Sequence, residues 1–314
     1  MNKRGLPLVL LLAVVVSTTV IAEDSYVVVP VNLSLVPVIS FGQPDGYKTV
    51  NNVQLNVVAG YADVLRGAAL GVVSIIGEDA VGVQAGVANW VSRDLTGVQA
   101  GVVNTVFGTA DGAQAGVLNY AKSTSFAQAG VVNISKSARG VQLGVVNIAE
   151  ENEGIPIGLV SVVLKNGQTH AQSWYDEMGL MNLALIHGTK TVYNIYTVGV
   201  DSQFENLTAG LGMGVHIPLD KVFLNVEGIY SLVAPRDAIG VEWENLLKCE
   251  SLFRARVYLG YDFSFFSLIG GVSFNYLSNT NATSITLEPF HGYEFGFSSK
   301  ERRFWPGVFV GVQF

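Results

Sequence analysis

The chain has 314 residues, a formal net charge of -7, 14% charged residues, 35 glycines and one cysteine. Low charge with abundant glycine and valine, and no run of 18 apolar residues beyond the N-terminus, argues against a disordered chain and against a helical membrane protein. The acidic balance argues against nucleic acid as a partner, because no basic stripe exists to neutralise phosphates.

Residues 1–22 read as a secretory signal peptide. Lys3 and Arg4 form the charged start, Leu6 to Val16 the apolar stretch, and Val20-Ile21-Ala22 the small-residue cleavage site. The mature chain is expected to begin at Glu23, and no cysteine follows the apolar stretch to carry a lipid. Cys249 has no second cysteine to pair with and is expected to sit passively in a loop. In 23–45, Val29, Val31, Leu33 and Leu35 alternate with Pro30, Asn32, Ser34 and Val36, the period of a strand with two different faces. The turn residues Gln43-Pro44-Asp45-Gly46 break it.

From 46 to 168 one phrase recurs, Gly-x-Gln-x-Gly-x-x-Asn. It is complete at Gly82 to Asn89, Gly97 to Asn104, Gly112 to Asn119 and Gly140 to Asn147, and lacks its first glycine at Ala127 to Asn133. Following its Gln position through Gln54, Ala69, Gln84, Gln99, Gln114, Gln128, Gln142 and Pro156 gives steps of 15, 15, 15, 15, 14, 14 and 14 residues. Regular self-similarity of this kind is an architecture. Two glycines per repeat, at about 1 kcal/mol each relative to alanine, disfavour helix, and valine favours strand. Antiparallel barrel strands would need different connections after odd and even repeats, and the connections are alike. A solenoid needs only like coils, each about 4.8 Å above the last, and is the preferred reading. It predicts that Val87, Val102, Val117, Val131, Val145 and Leu159 form an apolar column inside the coil. It also predicts an amide ladder of Asn89, Asn104, Asn119, Asn133 and Asn147.

From 169 to 314 the period falls to two. Leu211, Met213, Val215 and Ile217 alternate with Gly210, Gly212, Gly214 and His216, and the last strand alternates to Phe314. Strands are expected at about 180–186, 191–201, 208–218, 222–233, 251–263, 267–278 and 305–314. Short turns at 187–190, 219–221 and near Phe265 contrast with longer loops at 202–207, 234–250 and 279–304, the plan of an outer-membrane barrel. Counting the strand near 27–41 gives eight. The expected fold class is therefore all-β: a small, about eight-stranded outer-membrane barrel with the solenoid inserted between its first two strands, on the rim facing the exterior.

The terminal Trp305 to Phe314 strand, ending on an aromatic residue, resembles the C-terminal targeting strand of bacterial outer-membrane barrels. The repeats, their exit Gly154-Ile-Pro-Ile-Gly158 and the later Gly188-Thr-Lys-Thr-Val-Tyr-Asn194 resemble a family of bacterial surface-repeat proteins known from spirochaetes and some other Gram-negative-type bacteria. That resemblance implies an outer-membrane or surface location and carries no established activity.

No catalytic, cofactor or metal site is expected. His170, His187, His216 and His291 lack metal spacing and a nucleophile partner, and Gly210, Gly212 and Gly214 read as small lumen-facing residues, not a nucleotide loop. Glu227, Arg254, Arg256 and Asp262 fall on inward faces, where a narrow barrel requires them to pair. Asp237, Glu242, Glu244 and Glu250, and Glu288, Glu294 and Glu301, form loop clusters without EF-hand spacing. The expected role is a non-enzymatic surface protein displaying its repeats outside the cell for adhesion, shielding or envelope structure. Its partners would be outer-membrane lipid and an extracellular or host surface ligand. The alternatives are a small pore and a surface hydrolase using the loop carboxylates.

Overall fold

The computed structural model describes residues 26–42, 44, 46–235, 249–278 and 302–314, so the signal-peptide reading and most of both acidic loop clusters lie outside the described residues. The fold is all-β and contains a solenoid-like parallel stack and a closed eight-stranded barrel. The stack comprises β1 (Tyr26–Val36), β2 (Ile39–Phe41), β3 (Lys48–Ala62), β4 (Val64–Ile76), β5 (Ala80–Ala85), β6 (Ala88–Val91), β7 (Leu95–Ala100), β8 (Val103–Ala115), β9 (Leu118–Thr124), β10 (Ala127–Ala129), β11 (Val132–Ala138), β12 (Val141–Asn152) and β13 (Ile155–Val163). The barrel comprises β14 (Gln168–Asp176), β15 (Leu180–Gly188), β16 (Val192–Asp201), β17 (Asn206–Leu219), β18 (Val222–Pro235), β19 (Glu250–Asp262), β20 (Ser267–Ser278) and β21 (Arg302–Gln313). By compactness the chain divides at Gly144, the last coils grouping with the barrel.

Most coils have two arms joined at a Gly-Val corner and a polar link to the next coil; the corner is Asn56-Val57 in the early coil that holds Gln54 and Gly158-Leu159 in the last. In the coil that starts at Ala80, β5 is the first arm, Gly86-Val87 the corner, β6 the second arm and residues 92–94 the link. Coils stack parallel and in register: Gln84 pairs with Gln99, Gln99 with Gln114, and Asn89 with Asn104. The change from 15 to 14 residues is absorbed between Val106 and Thr109 of β8, where the register with β9 shifts. An irregularity there removes the extra residue from the ladder without disturbing the two arms.

The interior of the stack corrects the expected valine column. Val87, Val102 and Val117 are 50%, 47% and 50% exposed, and Val131, Val145 and Leu159 are exposed too. What fills the coils is the polar alternate, with Gln84, Gln99, Gln114 and Gln128 and Asn89, Asn104, Asn119 and Asn133 all buried. Gln99 Nε2 donates to Gln84 Oε1, and Gln114 Nε2 to Gln99 Oε1, both at 2.8 Å. Asn104 Nδ2 donates to Asn119 Oδ1 at 2.8 Å and to the Ala115 carbonyl at 2.9 Å. Gln114 Nε2 also reaches the Tyr120 carbonyl on the opposite arm at 3.1 Å. The physical reason for the inversion is that an amide can satisfy its own stack and tie the two arms together, and buried polar groups must be satisfied. Period-2 alternation then turns the valines outward. Toward the links the interior becomes small and apolar, with Ile76, Ala80, Val91, Leu95, Val106 and Ala110.

Gln114→Leu is expected to orphan an acceptor on Gln99 and a donor on Gln128. At about 1–3 kcal/mol for each unsatisfied group, the loss is expected to appear as a lower urea midpoint, and an unchanged midpoint would refute the ladder as a source of stability.

The barrel is antiparallel throughout and closes by pairing β14 with β21, Trp174 opposite Gly311 and Tyr175 opposite Val310. The seven strands expected between 180 and 314 are present within a few residues. The eighth strand is a correction. Residues 26–36 belong to the stack, where β1 pairs parallel with β3, Asn32 opposite Gln54 and Ser34 opposite Asn56, and β14 completes the barrel. The alternation of β1 is therefore that of the repeats, with Asn32 and Ser34 inward and Val31, Leu33 and Leu35 outward. It follows that the stack precedes the barrel and is not inserted into it. The chain enters β14 at the rim that carries the short turns 189–191, 220–221 and 263–266 and the C-terminal Phe314.

Candidate functional site

The barrel interior carries the charged constellation. Period-2 alternation on β14, β16, β18, β19 and β21 sends Gln172, Trp174 and Asp176, Tyr193, Glu227, Arg254, Arg256 and Tyr258, and Phe309 inward, all buried. Arg256 Nε donates to Glu227 Oε2 at 2.8 Å, and its Nη2 also pairs with that oxygen. Its guanidinium lies 4.0 Å from the Trp174 ring centroid and 4.6 Å from that of Phe309, so aromatic faces cover the cation that the carboxylate does not. The other oxygen, Glu227 Oε1, accepts from the hydroxyls of Tyr193 at 2.8 Å and Tyr258 at 2.7 Å. Tyr258 in turn accepts from Gln172 and Asn225, both at 2.7 Å.

A second cluster lies at the β14–β15 turn. Asp176 accepts from Arg254 Nη1 at 2.9 Å, from Asn182 Nδ2 at 3.0 Å and from the Met178 and Leu180 amides at 3.1 Å. Glu177 folds back into the barrel, accepting from Asn275 at 2.7 Å and from Trp305 Nε1 at 3.0 Å. A Cβ at Gly307 would stand 2.0 Å from Glu177 Oε1, which is why that inward position of β21 carries none.

Pairing of the inward charges is thus met for Glu227, Arg254 and Arg256. Asp262 is not part of it, and accepts from the Ser267 hydroxyl at the short-turn rim. His216 is a lumen residue bonded to Asn225 at 2.8 Å. The glycines of β17 face inward as expected, and a Cβ at Gly214 would collide with the Tyr193 ring. Partners that sequence reading missed are Asp176, Glu177, Gln172, Tyr193 and Tyr258. Their signal was the inward phase of 172, 174 and 176, hidden because the outward face of β14 offers only Thr169, Ala171, Ser173 and Tyr175. Of the loop carboxylates, Glu250 is described and is buried at the start of β19. Among the described residues no group of three or more His, Cys, Asp or Glu is arranged to hold a metal ion.

The outer wall of the barrel holds one more constellation. Asn194 and Tyr196 of β16 point outward, and the Asn194 amide donates to the Gly158 carbonyl at 2.7 Å and the Tyr196 hydroxyl to the Leu159 carbonyl at 3.1 Å. His187 of β15 accepts from the Val163 amide at 3.1 Å. The segments 154–158 and 188–194, singled out separately in the sequence, are therefore the two sides of one clasp between the last coil and the barrel wall.

The link edge of the stack is charged. Glu78 accepts from Tyr26 at 2.7 Å and pairs with Lys48 at 2.5 Å, and those hydrogen bonds, Lys48 first, hold its carboxyl below the usual carboxylate range. No protein-family model matches the chain. Comparison with curated proteins and with solved structures likewise returns no similar protein.

Proposed function

We propose that the protein is an integral membrane barrel of the outer-membrane type, non-enzymatic, with the repeat stack as a rigid arm for surface recognition or envelope structure. The observation that carries this reading is the apolar outer wall of the barrel. Its outside exposes Leu183, Val198, Leu211, Val257, Val272 and Val308, the surface a strand needs when its outer neighbour is hydrocarbon, while its inside holds the charged and amide network beside apolar residues such as Ile186, Ile195, Phe223 and Ile229. Phe314 supports the resemblance to a terminal targeting strand, since its backbone exchanges two hydrogen bonds with Ala171 at the seam that closes the barrel.

In the outer-membrane plan the rim of short turns and chain ends faces the periplasm, and the repeats join the barrel at that rim. This favours a periplasmic stack over display at the exterior. Protease added to intact cells is then expected to spare residues 48–163 and to cut there only after the outer membrane is opened. Cutting in intact cells would overturn the periplasmic side and restore exterior display. A protein extracted by alkaline carbonate without detergent would overturn the membrane barrel itself.

The filled interior, with both arginines paired to carboxylates, supports a closed barrel in place of a pore. Planar bilayers containing the protein are expected to show no stepwise conductance, and steps altered by Arg256→Gln would establish the pore instead.

A further inference from the structure

The stack carries an apolar edge that the barrel reading does not use. In every coil the eight residues from the position before the Gln column to the position after the Asn column contain no Asp, Glu, Lys, Arg or His, as in 68–75, 83–90, 98–105, 113–120, 127–134 and 141–148. Their outward side chains are Val83, Val87 and Trp90 in one coil, Val98 and Val102 in the next, and Val117 and Val131 at the following corners, all exposed except at the arm positions that neighbours half-cover. Charge lies outside these windows, in the links and the arm positions beside them, with Asp63, Arg66, Glu78, Asp79, Arg93, Asp94, Asp111 and Lys122. We propose that the Gly-Val corner edge of the stack inserts into the hydrocarbon of one lipid leaflet, leaving the charged links at the headgroups.

Depth supports a leaflet and not a spanning segment. The four steps from Val83 to Val87, at about 3.3 Å each, give an apolar band of about 13 Å, close to half of the roughly 30 Å hydrocarbon core. The corner amides are already satisfied: Gly86 N donates to the Ala100 carbonyl, and Val87 N to the Val72 carbonyl, at 3.0 and 2.9 Å. Hydrocarbon therefore meets no unpaired N–H of these two residues.

An aromatic column marks the boundary. Tyr61 pairs in register with Ile75, and Ile75 with Trp90, and two coils on, Tyr120 occupies the same position. Phe107 packs between Trp90 and Tyr120, with centroids 4.5 and 5.7 Å away. The polar ends turn toward the links, Tyr61 hydroxyl to Asp63 and Trp90 Nε1 to Ser92, both at 3.1 Å. Rings with an apolar body at the edge and a polar end toward the charges are what a membrane–water interface selects, and a dry contact with a second copy gives no reason for them to stand at one height.

The inference stands on residues of the stack alone and does not depend on the barrel reading. The full-length chain with Cys249→Ser and a single spin-labelled cysteine at Val117, Val102, Asp94 or Val257 is reconstituted into phosphatidylcholine vesicles. Labels at 117 and 102 are expected to be open to oxygen and closed to a water-soluble nickel chelate, with the label at 94 open to nickel. Labels at 117 and 102 as open to nickel as that at 94 would overturn the proposal, and a nickel-closed label at 257 would show that the barrel reading survives. Labels at 117 closed to both reagents, with dipolar broadening lost on dilution into unlabelled protein, would overturn it in favour of a second copy on the edge. If 257 is open to nickel the barrel reading fails, and the labels at 117 and 102 still decide the edge.

Discussion

Arg256→Leu is expected to destabilise the barrel by about 3–5 kcal/mol, the usual consequence of removing one partner of a buried ion pair. Glu227 would keep its two tyrosine donors but lose the cation that neutralises it, with no water to take over, since both side chains are fully buried. The Trp174 and Phe309 rings would also lose the group between them. The double variant Glu227→Gln/Arg256→Leu is expected to recover part of the loss, because no uncompensated charge remains. The check is a urea titration in detergent micelles followed by the gel shift between folded and unfolded barrel. Equal midpoints for the wild type and Arg256→Leu would show that the pair is dispensable.

Gly97→Ala is expected to be at least as damaging to the stack. Gly82, Gly97 and Gly112 have φ of 131°, 139° and 149°, and a Cβ at Gly97 would stand 1.9 Å from the Gly82 carbonyl oxygen one coil away. A methyl group cannot be placed there without separating two coils, so a loss above about 4 kcal/mol is expected, in the range reserved for strain at special backbone positions. Because each coil is held chiefly by its neighbours, limited proteolysis should open the chain around 80–115 while the barrel stays closed. Thr96→Ala, an exposed position one residue earlier, is the control and is expected to change stability by no more than about 0.5 kcal/mol. A Gly97→Ala protein as resistant as that control would refute the close approach.

Much of the architecture was legible from spacing. The constant 14- to 15-residue step demanded like coils, and the short-turn, long-loop alternation after 180 demanded a barrel; both are present. The inside of the coil was not legible, because Val83 and Gln84 obey the same period and hydrophobicity alone assigns the valine inward. What decides it is that an amide gains partners by stacking on its own column and by reaching the opposite arm. For the same reason β1 looked like a barrel strand: its valines and leucines alternate as a barrel strand would, and only its pairing with β3 distinguishes the two. Asp176 and Glu177 went unrecognised because acidic residues at a turn ordinarily face solvent. In this barrel the turn folds inward, and Arg254, Asn275 and Trp305 receive them.

The two amide rows of the stack have a consequence for its length. Each Gln donates toward the preceding coil and each Asn toward the following one, as with Gln114 to Gln99 and Asn104 to Asn119. Their dipoles oppose each other within every coil, so no macroscopic field accumulates as coils are added, in contrast to the aligned peptides of a helix. A stack built this way accumulates no dipole from its amide rows as coils are added, and loss or duplication of a whole coil leaves both rows unbroken and their dipoles still opposed.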